Sequence, residues 1–88
     1  MYQLSNLKKA IKKLLSENDI DENIAFRISS IVNYDFQINN LVKYQSHPNI
    51  KKIITSIEKI IKNEKTIEQF VITENYFINL KINIESFL

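Results

Sequence analysis

The chain has 88 residues, 44% of them hydrophobic and 25% charged, with a formal net charge of +2. These are the proportions of one small folded domain, not of a disordered tail, and so low a charge permits an RNA or membrane partner without requiring one. Having no Cys, a lone His47 and no Gly, the chain cannot form disulfides, thiolate or multi-histidine zinc sites, or the glycine loops that cradle phosphates.

The segment MYQLSNLKKAIKKLL opens the chain. Leu4, Leu7, Ile11, Leu14 and Leu15 follow the three-and-four spacing of one helix face, with Lys8, Lys9, Lys12 and Lys13 largely opposite. Lysines interrupt it too often for a signal peptide, and no apolar run in the chain reaches the ~20 residues of a membrane span, so a cytosolic protein is expected. SENDIDEN, 16–23, supplies stop and turn residues, and AFRISSIV, 25–32, reads as a strand from its β-branched and aromatic content. NYDFQINN, 33–40, reads as a turn between elements, followed by a short helical segment around Leu41 to Gln45. Lacking glycine, left-handed backbone positions are expected to fall on Asn or Asp.

His47-Pro48 opens the clearest helix. Proline suits a first turn, Ile50, Ile53, Ile54, Ile57, Ile60 and Ile61 form an apolar stripe, and Asn63 is placed to cap the end. TIEQFVIT, 66–73, is a β-rich run, and Glu74-Asn75 suits a tight hairpin. In YFINLKINIE, 76–85, the period becomes two, with Tyr76, Ile78, Leu80, Ile82 and Ile84 on one face. The predicted fold is therefore α+β in two layers, an antiparallel sheet of about four strands packed against helices, in a single domain covering 1–88.

The last strand carries the most informative face. With Ile78, Leu80 and Ile82 turned to the core, Phe77, Asn79 and Lys81 stand in an outer row: a ring to stack on a base, an amide to read its edge, a cation for phosphate. The plainer alternative is a solvated face with one stray aromatic. The lysines of the first helix meet a phosphate backbone or are simply its wet face. Asp35 has no carboxylate or His near it in sequence, so it reads as a turn or cap acid, not a catalytic one, and His47 reads as a helix-start residue.

Asp35-Phe36-Gln37-x-Asn39 resembles the Gly-Asp-(Tyr/Phe)-Gln-x-Asn signature in the N-terminal additional domain of arginyl-tRNA synthetase. In the same order follow a helix-opening Pro48, a long helix, a hairpin, Phe77-Ile78-Asn79 at the family's aromatic-x-Asn segment, and the closing Phe87-Leu88. The resemblance spans nearly the whole chain, and four motifs in register are fairly specific together. It implies a non-catalytic domain, excised from a synthetase or a free-standing relative, that contacts the D-loop at the outer corner of tRNA, with tRNA(Arg) as partner and, if excised, the synthetase's catalytic domain as well. Phe77 and Asn79 stand at the positions that recognise an unpaired base, and Phe36, Gln37, Asn39 and Lys81 complete the expected tRNA-binding set. Tyr34 stands in place of the glycine before the Asp, and Glu74-Asn75-Tyr76 in place of Gly-Pro-Gly, so both turns are expected to differ in shape. A class I synthetase needs nucleotide signatures that a chain without glycine lacks, so no aminoacylation, no cofactor and a monomer are expected. The rival expectation is a small protein–protein interaction module using the outer sheet face.

Overall fold

A computed structural model describes residues 4–87. It comprises α1 (Ser5–Glu17), β1 (Arg27–Ile28), β2 (Phe36–Ile38), a 3-10 turn (Val42–Tyr44), α2 (Ile50–Lys62), β3 (Ile67–Ile72), β4 (Ile78–Ile82) and the short α3 (Ile84–Phe87). The strands form one four-stranded sheet in the order β1-β2-β4-β3, every neighbouring pair antiparallel. This is the expected α+β architecture.

Leu7, Ile11 and Leu15 of the first helix, with Leu4 at its N-cap, and Ile50, Ile53, Ile57 and Ile61 of the second bury one stripe each. They join Ile38, Ile78, Leu80 and Ile82 from one face of the sheet in a single core. That core is the main source of stability, since each buried aliphatic side chain contributes roughly 1.5–3 kcal/mol on leaving water.

The end of α1 is closed by backbone geometry. Asp19 takes a left-handed φ of 57°, its N–H donates to Ser16 O, and Ile20 N–H donates to Leu15 O at 2.9 Å. This is the Schellman arrangement, with Ile20 packed into the same core as Leu15. Asn33, φ 75°, is the second left-handed residue, and like Asp19 it is one of the two residue types expected there.

The third left-handed residue departs from expectation. Tyr76 has φ 67°, in a hairpin where Tyr76 N–H donates to Thr73 O and Thr73 N–H to Phe77 O, both at 2.9 Å. Glu74, Asn75 and Tyr76 thus form a three-residue loop, a type I turn followed by a left-handed residue, where glycine is the usual occupant. A Cβ there costs roughly 1–2 kcal/mol. The half-buried ring packs against the core and offsets part of that. Tyr76→Ala and Tyr76→Gly both lose the ring, but only glycine relieves the backbone. We therefore expect the Gly variant to be the more stable by about 1 kcal/mol in urea titrations, the reverse of the ordinary order. An Ala variant as stable as the Gly variant would show the position to be unstrained.

Several local expectations are corrected. NYDFQINN is not a turn, because Phe36–Ile38 lies inside the sheet between β1 and β4. Only Arg27–Ile28 of AFRISSIV pairs as a strand; beyond it Ser29 bonds inward and the chain turns at Asn33. Pro48 precedes the helix, which begins at Ile50 after Asn49. Ile84 leaves the strand pattern to begin α3 and is 68% exposed. Asn63 does cap α2, in right-handed rather than left-handed conformation.

Asp35 behaves as the cap acid it was expected to be. Its N–H donates to Leu80 O at 2.8 Å, and its Oδ2 accepts the Ile82 N–H at 2.8 Å. One residue thus bonds β4 twice and extends the join between the two hairpins.

Candidate nucleic-acid interface

The register places Arg27 opposite Gln37, Gln37 opposite Asn79, and Asn79 opposite Val71. Alternation along the strands therefore gives one row across the outer face of the sheet, with Phe77, just before β4, and Lys81 within it flanking Asn79. The face assignment read from the sequence is right; the exposure is not. Asn79 is fully buried, where an accessible amide was expected.

The cause is a hydrogen-bonded cover. Ser29 Oγ donates to Asn79 Oδ1 at 2.7 Å and Gln37 Nε2 donates to the same oxygen at 3.1 Å. Ile31 N–H donates to Ser29 Oγ at 3.1 Å, which leaves the hydroxyl proton free to turn toward Asn79. The carbonyl oxygen thus has two donors, while Nδ2 is the one buried side-chain polar atom among the described residues without a partner. A buried donor in that state costs about 1–3 kcal/mol.

The remaining expected site residues divide. Phe77 and Asn39, both half-buried, line a groove of about 370 Å³ on this side of the sheet. Gln37 serves as part of the cover over Asn79. Lys81 is on the outer face but its ammonium sits 3.0 Å from Glu68, so it is not the free cation that was expected. Phe36 lies on the other face: it stands opposite Leu80, packs against the core, and meets Phe26 edge-on at 6.2 Å. Adjacent strand residues cannot share a face, so Phe36 and Gln37 could not both join the outer row.

Sequence reasoning missed the groove's other walls, among them Arg27, Lys43, Asn23 and Asp21. The buried Asn40 fixes two of them, its Nδ2 donating to Asp21 O at 2.9 Å and Asn23 O at 3.2 Å. The Asp21 N–H donates to the Tyr44 hydroxyl at 3.2 Å. Lys43 Nζ lies 3.9 Å from Asp21 Oδ2, an exposed pair of little energetic weight. A phenyl ring, several amides, two cations and one acid suit a planar polar ligand such as a base better than a bare phosphate.

His47 bridges the helices instead of serving the groove. Its Nδ1 accepts the Asn49 N–H at 3.0 Å, and Nε2, as the protonated nitrogen, donates to Asn18 O at 3.0 Å. Among the described residues there is no metal-binding cluster of His, Cys, Asp or Glu, and no helix is long and apolar enough to cross a membrane. Compared with family models, curated proteins and solved structures, the chain matches none of them.

Proposed function

We propose that this domain binds RNA without catalysing a reaction, taking an unpaired base into the groove beside Phe77. The carrying observation is that Phe77 and Asn39 line one groove of about 370 Å³ together with Arg27 and Lys43, which combines a stacking surface, an amide and cations within nucleotide reach. The resemblance makes the RNA a tRNA, the base one of the D-loop, and tRNA(Arg) the partner of a synthetase to which such a domain would belong. The φ of 67° at Tyr76 is in keeping with that reading, since it suits the glycine that stands at this place in the domains the chain resembles. In this reading Phe77 stacks on the base and Asn39 bonds its edge. Asn79, buried and held by Ser29 and Gln37, takes no direct part in this reading.

An electrophoretic titration at low salt tests the proposal, comparing tRNA with a fully paired RNA duplex of similar length. Tighter binding to tRNA, weakening steeply as salt is raised, is the expected result. Equal binding to both would remove the base-reading role.

The runner-up, a protein-interaction module, has its own observation: Ile28 and Val32 are 87% and 80% exposed beside the edge strand β1. On the RNA reading, Ile28→Ser with Val32→Ser leaves the tRNA titration unchanged.

A further inference from the structure

The charges of this chain are sorted by layer. On α1, Lys8, Lys9, Lys12 and Lys13 are all exposed. On α2, Lys51, Lys52, Lys59 and Lys62 are too. The acids within these two helices are Glu17 and Glu58, which leaves a formal +6 on the helices. The rest of the chain carries four cations and eight acids, a formal −4, and the two values restore the net +2. The weak overall charge therefore conceals a strongly basic layer.

Local helix energetics account for only part of this placement, namely Lys59 and Lys62 in the last turn of α2, where cations favour the macrodipole. Neither helix has an acidic residue in its first turn, where acids favour the macrodipole, and Lys51 and Lys52 occupy that turn of α2 against it. Lys8 with Lys12 and Lys9 with Lys13 are like-charge pairs four apart, an unfavourable spacing. The ion pairs found among the described residues involve Lys43 and Lys81 and none of the helix lysines. Such an arrangement of unneutralised cations is compensated when a polyanion lies against it.

We propose that the outer surface of the helix layer is a second nucleic-acid surface, one that holds the phosphate backbone of RNA without regard to sequence. It lies across the sheet from the groove, because the helices pack on the face of Ile78 and Leu80 while Phe77 and Arg27 belong to the other. The proposal stands apart from base reading and needs no unpaired base. An anionic lipid surface is the less suitable partner, since a helix lying on lipid inserts apolar side chains between its cations. Here those side chains are in the core, and the exposed apolar residues Ile28, Ile31, Val32 and Ile84 lie outside both helices.

The test is a fluorescence-anisotropy titration of a labelled, fully paired RNA duplex at about 50 mM salt. It compares the protein with a quadruple variant, Lys9→Gln, Lys13→Gln, Lys52→Gln and Lys59→Gln, and with the same four positions changed to Arg. Circular dichroism verifies that each variant is folded. The Gln variant is expected to bind at least about ten-fold more weakly, with a salt slope flatter by about one for each lysine that had met a phosphate, while the Arg variant binds as the parent does. Parent protein that fails to bind the duplex, Gln variant that binds it equally well, or binding to phosphatidylserine vesicles in place of RNA would each overturn the proposal.

Discussion

Asn79→Asp is expected to destabilise the domain by about 3 kcal/mol at neutral pH, although it exchanges only NH₂ for oxygen. Ser29 and Gln37 keep their acceptor in this variant. The second oxygen replaces an atom that already lacks a partner, and a negative charge is placed at a residue with no exposed surface. Burial of an uncompensated carboxylate costs several kcal/mol. The nearest cation along β4, Lys81, is already engaged by Glu68. Burial raises the folded-state pKa of the new acid above its unfolded value. The folded state then binds the extra proton, so the loss is smallest at low pH and grows as pH rises toward the folded pKa. Urea titrations at pH 4 and pH 7 read this directly. A loss below about 1 kcal/mol at both values would mean that water reaches Asn79 and that the cover is open.

Phe77→Ala is expected to weaken tRNA binding about ten-fold or more, since stacking on one base is worth roughly 1–3 kcal/mol. The ring is half-buried at the groove wall, so its loss removes the stacking surface without opening the core on the other face. The duplex without unpaired bases should be bound as before. Equal weakening of tRNA and duplex, or none, would place the RNA elsewhere on the molecule. Asn79→Ala is a poorer probe of base preference than an exposed amide would be, because it also deprives Ser29 and Gln37 of their shared acceptor.

The helices and the last hairpin were legible because their information is local. Ile50, Ile53, Ile57 and Ile61 repeat along one helix face, and Ile78, Leu80 and Ile82 along one strand face, and these residues form the core. The stretch NYDFQINN was opaque for the opposite reason. β2 has three residues and draws its order from neighbours on both sides, the farther of them some forty residues away in sequence. Its polar residues are structural as much as functional: Asp35 caps a β4 amide, Gln37 bonds Asn79, and Asn40 holds the loop at Asp21. Alternation assigned Asn79 to its face, but a period of two says nothing of what covers that face. The cover comes from Ser29, fifty positions away. The groove walls Arg27 and Lys43 were invisible because they converge only after the β1–β2 hairpin has closed.

The strand order has a kinetic consequence. β1 with β2 and β3 with β4 are local hairpins, units that form on a microsecond scale. Among the described residues the one strand pairing between them is β2 with β4, whose Gln37–Asn79 bond spans 42 residues. Closing a loop of that length costs about 3 kcal/mol of chain entropy before any contact across it is gained. The seam is therefore expected to form after the two hairpins and to be the first part of the sheet to part. Asp35, which grips β4 from the far side of that seam, acts as a latch on the native state rather than as a nucleus. Weakening it should quicken unfolding and leave the folding rate nearly unchanged.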